Sequence, residues 1–308
     1  MRIPEDILVE IFESIKGENN LHDVRKISNY LKNLKSNLKV LRSAYRRKGR
    51  VIIDYKDKKY QEVYLIAYFP IYTVPIFEVL EYINKNHPSL NIPQNLCLIG
   101  AGPAPEMMGF LKFINNQSYE NGSKIKIELK IELIEIASEW KYARKILKRV
   151  YNNKNILKNF KTKFRLSKLK IYKNDVSKEI SNSSVLLRRF SENQHKRVVV
   201  IQNIINEIEP QYHKVFIENV IKCYKNLVPG SLLILIDLKY PIVPKVASKL
   251  ESKLEDDLIK SFGSSVNYEV DYANIILPEL IKNNFFDSHG FGAKRKVKYG
   301  YGIFYKQK

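Results

Sequence analysis

One short segment, LCLIGAGPAPE at residues 96–106, constrains the fold of this chain more than any other. Four apolar residues are followed by Gly-Ala-Gly-Pro, and a helix-like stretch, EMMGFLKFI, begins at Glu106. This order predicts a buried strand that turns through glycines into a helix. Because glycine has no side chain, the turn leaves bare main chain and backbone N–H groups at the edge of a sheet. A flat, nucleoside-type ligand can approach such a turn closely.

Short apolar segments alternate with helix-length segments after this turn. Strands are expected in KIKIELKIELIEIA, LSKLKIYKNDV, VVVIQNIINEI and SLLILIDLKY. This alternation favours an α/β fold with a doubly wound, mostly parallel sheet. The last segment, KVKYGYGIFYKQK, alternates by twos and no helix follows it, so we expect a terminal antiparallel strand.

The N-terminal part of the chain is predicted to form a mainly helical module. Apolar residues recur with helical spacing over residues 4–16 and again over residues 21–45. The segment RVIIDYKDKKYQEVYLIAYFPIYTVPIFEVLEYI follows Gly49, and its first part is a candidate short hairpin. The segment HPSLNIP at residues 87–93 is a natural junction. We therefore expect an N-terminal module at 1–90, which contacts substrate or forms a lid, and a core at 91–308.

The positive charge of the chain is concentrated in three segments. The formal net charge is +21. Twelve Lys and Arg residues lie in 141–170, eight in 31–50 and six in 294–308, and these segments contain no acidic residue. The remaining 27 basic residues are outnumbered by 32 acidic ones. Such clustering favours a surface that contacts nucleic acid phosphates, although three solvated basic faces are the alternative.

Composition excludes several other classes of protein. No apolar run is long enough to span a membrane, and the N-terminus, MRIPEDILVEIFESI, is unlike a signal peptide. The two cysteines, Cys97 and Cys223, are too few for a disulfide framework, so we expect a cytoplasmic location. The histidines show no metal-ligand spacing, and no metal site is expected.

The core resembles the class I S-adenosylmethionine-dependent methyltransferases over roughly residues 65–308. The matching pieces are the turn IGAGPAPE, the acid in IELIEIASEW, the aspartate of YKNDV, the VVVIQNIINEI and PGSLLILID strands and the terminal strand. Within that family the chain is most similar to a branch with members linked to the small ribosomal subunit. The resemblance implies a seven-stranded sheet and S-adenosylmethionine as the cofactor.

The resemblance assigns cofactor contacts to particular residues. The glycine turn would pass beneath the methionine part of the cofactor, Glu135 would accept both ribose hydroxyls, and Asp175 would read the adenine amino group. A surface carboxylate is the alternative for Glu135, and a helix N-cap is the alternative for Asp175. The full set of expected cofactor contacts is Gly100, Ala101, Gly102, Pro103, Glu135, Ile136, Asp175, Val176, Gln202 and Asn203.

Two residues depart from the family pattern. Leu98 stands where the family usually has an acid, and Glu106 is a candidate to replace it, unless it only complements the helix dipole. Ala104 stands where glycine is common. Its methyl group fits the turn if the φ angle at this position is negative.

Methyl transfer from a sulfonium requires few catalytic side chains, because positioning the acceptor against the methyl carbon provides much of the rate acceleration. Asn203, Asn206 and Glu207 follow the fourth strand and are the catalytic candidates. Asn203 would orient an acceptor and Glu207 would take a proton, whereas capping of the next helix is the alternative for Asn206 and Glu207. Expected substrate contacts are Tyr68, Tyr72, Lys145, Lys148, Arg149, Asp237 and Tyr240. Tyr68 and Tyr72 are alternatively packing residues.

Three functions remain open at this point. The first, which we favour, is methyl transfer to ribosomal or transfer RNA held by the basic segments. The second is methyl transfer to a small molecule, peptide or protein. The third is a non-catalytic binding subunit that shares the fold. The sequence contains no signal for the oligomeric state.

Overall fold

The computed structural model describes residues 3–46, 53–120, 126–135, 138–152, 163–173, 175–181, 184, 187, 190, 195–238, 242–254, 263–269, 284–285 and 296–307. These residues form two compact units, which are described separately below. One unit contains most of the sheet and the helices that follow its strands. The other consists mainly of helices.

The sheet unit alternates strands and helices, as the sequence predicted. The first strand, β1, is followed by a helix that starts at Pro105, directly after the glycine turn. The strands and helices are α5 (Val74–Asn86), β1 (Leu96–Ile99), α6 (Pro105–Glu120), β2 (Lys126–Glu135), β3 (Lys163–Lys173), β4 (Val198–Gln202), α8 (His213–Lys225), β5 (Leu232–Leu238), α9 (Ile242–Glu251), β6 (Gly263–Glu269) and β7 (Lys296–Tyr305).

The strands form one sheet of seven in the order β3-β2-β1-β4-β5-β7-β6. The five strands β1–β5 are parallel. Strand β7 pairs antiparallel with β5, from Leu232 opposite Tyr305 to Leu238 opposite Tyr299. The expectations of a mostly parallel α/β sheet and of a terminal antiparallel strand are therefore confirmed. Strand order changes direction at β1, because β2 and β3 lie on one side of it and β4 and β5 on the other.

The core of this unit lies on the faces of the central strands. Strands β1, β4 and most of β5 are buried along their whole length, which explains why they consist almost entirely of apolar residues. Residues of α8 and α9 pack against them, including Phe216, Val220, Tyr224 and Leu250. The last strand is anchored to α5, since the hydroxyl of Tyr299 donates a 2.5 Å hydrogen bond to Glu78.

The helical unit contains α1 (Ile3–Glu18), α2 (Val24–Arg46), α3 (Lys58–Ala67), α4 (Phe69–Tyr72) and α7 (Lys141–Asn152). The apolar stripes of α1 and α2 are buried, as helical periodicity predicted. The candidate short hairpin after Gly49 falls partly on residues 50–52, which lie outside the described residues, and α3 begins at Lys58. The side chain of Asp57 caps this helix by accepting a hydrogen bond from the backbone N–H of Lys59.

A buried glutamate links four of these helices. Glu62 on α3 is fully buried, and its carboxylate accepts hydrogen bonds from Asn19 Nδ2 at 2.9 Å, from the Tyr142 hydroxyl at 2.5 Å and from the Tyr30 hydroxyl. A buried carboxylate is stable only with such partners. Helix α7 therefore belongs with the N-terminal helices, whereas nearly all of α5 belongs with the sheet. The division between the units thus does not fall at residue 90.

No single helix among the described residues is both long and apolar enough to cross a membrane. One bent pair, Lys58–Ala67 followed by Phe69–Asn86, meets those criteria only when its two helices are taken together.

Candidate functional site

The candidate residues of the sheet unit meet at one edge of the sheet. In parallel strands the carboxyl ends lie side by side, and the register pairs Ile99 of β1 with Ile134 of β2 and with Ile201 of β4. Gly100, Glu135 and Asn203 consequently stand next to one another at the ends of three strands. The strand order reverses between β2 and β4, which is the position where open α/β sheets bind ligands.

The turn after β1 requires glycine at two positions. Gly100 and Gly102 have φ angles of 69° and 47°, in the left-handed region that side chains disfavour. The backbone N–H of Gly100 donates to the carbonyl of Ile134 at 2.8 Å and ties the turn to β2. A Cβ atom at Gly100 would lie 2.3 Å from Cγ2 of Ile204, so the neighbouring turn also requires a glycine here.

Ala104 also adopts the left-handed conformation, with a φ angle of 61°. Alanine was expected to fit this position if its φ angle was negative, and the structure does not meet that condition. Its backbone N–H donates to the carbonyl of Ala101 at 2.5 Å, which closes the turn ahead of α6. Left-handed conformation costs an alanine about 1–2 kcal/mol, so the turn is strained where the family commonly has glycine.

Glu135, the last residue of β2, is directed to this turn. Its Oε2 atom accepts a 2.5 Å hydrogen bond from the backbone N–H of Gly102, and only 7% of the residue is exposed. A carboxylate can accept about four hydrogen bonds. Ala101 and Pro103 are buried within the same turn. Ile136, also expected to contact the cofactor, lies outside the described residues.

Glu106 lies in the first turn of α6, and only 4% of it is exposed. Its Oε2 atom is buried and has no hydrogen-bond partner. Burial, with a smaller contribution from the charge of Glu135, raises the pKa of Glu106 to about 8. Leu98, by contrast, is a core residue of β1 with 1% exposure. The candidate replacement for an acid at position 98 is thus a buried carboxyl group in the helix that follows.

The turn after β4 is held by Asp237. The carboxylate of Asp237 accepts hydrogen bonds from the backbone N–H groups of Ile205 and Leu238, each at 2.7 Å, and from the side chain of Asn206. Asp237 is 1% exposed. It was expected to contact substrate and Asn206 to act in catalysis, yet these two side chains bind each other. Their observed role is to fix the backbone of the turn.

Asn203 and Glu207 are the residues that this turn presents. Asn203 is half-buried with a φ angle of 60°, and its backbone N–H donates to the carbonyl of Ile236 at 3.0 Å. Glu207 is exposed to solvent, but protein atoms desolvate its carboxyl group, and this desolvation, with the charges of Asp237 and Glu135, raises its pKa to about 8. Gln202, the residue before Asn203, is buried at the end of β4.

Asp175 follows β3 and caps a local turn. Its Oδ1 atom accepts hydrogen bonds from the backbone N–H of Ser177 at 3.0 Å and from the Ser177 hydroxyl at 2.6 Å. Asp175 and Val176 are both half-buried. Residues 176–181 form a turn and not a helix, so Asp175 fixes this turn and is not the expected helix N-cap, while contact with an adenine ring stays a prediction.

Asn219 of α8 was missed by the sequence reasoning. Its side chain donates to the carbonyls of Val176 and Lys178 at 2.9 and 2.7 Å and accepts from the backbone N–H of Ile180 at 3.1 Å. Asn219 is therefore the residue that holds the segment containing Asp175. The available signal was a polar residue at a core position of α8, three residues after Phe216 and four before Cys223.

The expected substrate contacts of the helical unit have two different outcomes. Tyr68 and Tyr72 are 6% and 4% exposed, and their ring centroids lie 6.1 Å apart in a cluster with Tyr64. They are packing residues, because burial removes the surface on which a substrate would stack. Lys145 and Arg149 are exposed and form ion pairs with Glu18, the first at 2.7 Å.

Lys148 is exposed on the same helix. Tyr240, the remaining expected substrate contact, lies outside the described residues. Among the residues that are described, no group of three or more His, Cys, Asp or Glu side chains is arranged to hold a metal ion.

Comparisons with known proteins give structural similarities only. No protein-family model and no curated protein sequence matches the chain. An O-methyltransferase family protein from Burkholderia thailandensis matches with a TM-score of 0.45 and 8% identity over 92% of this chain and 72% of its own. PH1948 from Pyrococcus horikoshii, a candidate RNA methyltransferase, matches at 0.40 and 12%, over 88% of this chain and 97% of its own.

A SAM-dependent methyltransferase from Anabaena variabilis also matches, with a TM-score of 0.40 and 11% identity over 74% of this chain and 84% of its own. At this level of similarity we draw no conclusion from these proteins about activity or substrate. The strand order, the antiparallel last strand and the glycine turn where the order reverses are observed in the chain itself. Together they give it the fold of the class I S-adenosylmethionine-dependent methyltransferases.

Proposed function

We propose that this chain is an S-adenosylmethionine-dependent methyltransferase that acts on RNA. The observation that carries the first part is the hydrogen bond from the Gly102 N–H to Glu135, because it joins the glycine turn to a strand-end carboxylate. This pair lies where the strand order reverses. A turn of bare main chain beside a carboxylate suits a ligand that has both a flat ring and vicinal hydroxyls.

The residues present fit this cofactor. The main chain of Gly100 and Gly102 would lie beneath its methionine part, and the carboxylate of Glu135, which accepts from the N–H of Gly102, would accept the two ribose hydroxyls. Asp175 and Val176, held by Asn219, would face the adenine ring. Asn203, which follows the central strand β4, would lie near the transferred group.

The chain's own part in the reaction is to position the acceptor and remove a proton. S-adenosylmethionine supplies a methyl group on a sulfonium, which is reactive without further activation. Asn203 offers an amide that can orient an N–H or O–H acceptor. Glu207 has a carboxyl group whose pKa of about 8 lies close to neutral pH, so its ionised form is a suitable acceptor for the proton that such a group must lose.

Two basic helices support RNA as the substrate class. Helix α2 contains seven Lys and Arg residues and α7 contains five, and neither contains an acid. Both helices belong to the helical unit, so the basic helices of two of the three basic segments lie in one compact unit. Their leucine and isoleucine faces are buried, which leaves Arg25, Lys26, Lys32, Lys39, Lys141 and Lys148 exposed. A dense set of exposed cations of this kind suits a polyanion.

RNA binding is tested by fluorescence anisotropy with labelled ribosomal and transfer RNA fragments at several salt concentrations. We expect affinity to fall steeply with salt. Lys148→Gln should reduce the slope of log K against log salt by about 0.7–0.9 if Lys148 contacts one phosphate. Lys214→Gln, an exposed lysine of α8 in the sheet unit, is the matched control and should leave the slope unchanged.

The two parts of the proposal fail separately. Absence of RNA binding at low salt would refute RNA as the substrate and leave methyl transfer to a small molecule, peptide or protein. Binding of RNA without any binding of S-adenosylmethionine would refute the enzyme and leave a non-catalytic binding subunit.

A further inference from the structure

Among the described residues at this edge of the sheet, Glu106 is a buried acid with a carboxyl oxygen that no protein group satisfies. It is 4% exposed, and its Oε2 atom has no hydrogen-bond partner. Asp237 has three donors, and Glu135 accepts from Gly102. A buried carboxyl oxygen without a partner is costly, so its presence calls for an explanation in terms of something that binds there.

The surroundings of Glu106 favour a cationic ligand group. The only charged side chain that contributes to its pKa shift is Glu135, and that contribution opposes ionisation. Its own backbone N–H is the one group that favours the ionised form. The partial positive charge at the start of α6 also favours the ionised form of Glu106. It does not provide a hydrogen-bond donor for the Oε2 atom. A positively charged group would complement both Glu106 and Glu135.

The turn beside Glu106 shows where such a group would come from. Glu106 is the second residue of α6, directly after Ala104 and Pro105, and it therefore lies at the end of the glycine turn that would pass beneath the cofactor's methionine part. S-adenosylmethionine has an ammonium group at that end and a sulfonium closer to the ribose. Position 98, where the family usually has an acid, is a buried leucine in this chain.

We propose that Glu106 binds the ammonium group at the methionine end of S-adenosylmethionine and so replaces the acid missing at position 98. This inference rests on the proposed function, since it assumes that S-adenosylmethionine occupies the turn. Burial keeps most of the Glu106 carboxyl protonated at pH 7 in the unliganded chain, because its pKa is about 8. Binding of the ammonium group therefore releases a proton as the carboxyl ionises.

The alternative role of Glu106 is to stabilise the start of α6 through its charge. That role predicts a change in thermal stability with no preference among ligands. The two roles can thus be separated by ligands that differ in the cationic groups they contain. S-adenosylmethionine has both the ammonium and the sulfonium, S-adenosylhomocysteine has the ammonium alone, and 5′-deoxy-5′-methylthioadenosine has neither.

The experiment measures the affinity of these three ligands by isothermal titration calorimetry for the full chain, for Glu106→Gln and for Glu218→Gln. Glutamine keeps the size and polarity of the side chain but removes the charge. We expect Glu106→Gln to weaken the first two ligands about 10- to 100-fold, as for loss of a charge-assisted hydrogen bond. Methylthioadenosine should change less than about threefold. Glu218→Gln, a half-buried glutamate of α8, should leave all three unchanged.

Titrations in buffers of different ionisation enthalpy give a second readout. At pH 7 the wild-type chain should release about one more proton on binding S-adenosylmethionine than Glu106→Gln does. The pKa values of Asp237 and Glu207 in the same site are also raised. Both residues are present in the wild-type chain and in the variant, so any protons that they release on binding cancel when the two chains are compared.

Each other outcome overturns the inference. Equal weakening of all three ligands would assign Glu106 a packing role, and weakening of S-adenosylmethionine alone would assign its charge to the sulfonium. Equal proton release by both chains would show that Glu106 does not ionise on binding. If the wild-type chain binds none of the three ligands, the proposed function itself fails. If the wild-type chain binds them and Glu106→Gln binds them equally well, only the inference about Glu106 fails.

Discussion

Two alanines of the glycine turn provide a matched test of the strain at position 104. Both are 3% exposed, but Ala104 has a φ angle of 61° whereas Ala101 is not among the residues with positive φ. Replacing either with glycine removes a buried methyl group, which costs about 0.8 kcal/mol. It also adds chain entropy to the unfolded state, which costs about 0.4–1 kcal/mol. Ala101→Gly should therefore lower the free energy of unfolding by about 1.2–1.8 kcal/mol.

At position 104 the same losses are offset by relief of the left-handed conformation, worth about 1–2 kcal/mol. Ala104→Gly should consequently leave the free energy of unfolding close to the wild-type value. The difference between the two variants should then be about 1–2 kcal/mol, the cost of the conformation itself. Urea unfolding followed by circular dichroism measures both changes at the same transition. Equal destabilisation by the two substitutions would refute the strain at Ala104.

Three further predictions concern the turn after β4 and the pH dependence of the site. Glu207→Gln should remove a rising limb with an apparent pKa near 8 from the pH profile of kcat/KM for methyl transfer; a limb that persists would exclude Glu207 as the base. Asp237→Ala leaves buried N–H groups unpaired and should cost about 3 kcal/mol, against about 1 kcal/mol for Asn206→Ala, and similar costs would contradict the assigned network. Burial raises the pKa of Asp237 to about 7, so the folded chain holds this proton more tightly than the unfolded chain, and its contribution to stability should decline as the pH rises from about 4 to 7. Asp237→Asn should flatten that decline in urea unfolding, and an unchanged decline would assign it to another group.

The parts of the fold that depend on local pattern were predictable. A short apolar run predicted the strand at Leu96–Ile99, the glycines after it predicted the turn, and the helix-like stretch that follows predicted α6. The same holds for the antiparallel last strand, whose two-residue alternation is incompatible with a helix. The position of Glu135 at the end of β2 was implied by the resemblance to the methyltransferase family and not by the local pattern.

Pairings between distant segments could not be derived in this way. Asn206 and Asp237 are 31 residues apart, and each alone is a plausible site residue. Only the parallel register of β4 and β5 shows that they bind each other. The grouping of α7 with the N-terminal helices likewise depends on Tyr142 reaching Glu62, a contact between segments 80 residues apart.

The backbone angle at Ala104 was also beyond the sequence. Alanine normally avoids a positive φ, so the residue type argued for the opposite conformation. The surrounding turn imposes the angle, because Gly100 and Gly102 on one side and α6 on the other fix both ends of the segment. Such strain is visible only once the whole turn is known.

Calorimetric titration of the wild-type chain and Glu135→Gln with S-adenosylmethionine tests the central claim most directly. Glutamine can still accept the hydrogen bond from Gly102, so the turn should keep its shape, but the charge that favours ribose hydroxyls is lost. We predict one cofactor per wild-type chain and an affinity at least about tenfold lower for Glu135→Gln. Absence of binding to the wild-type chain, or equal affinity of the two chains, would contradict the assignment of this turn as the cofactor site.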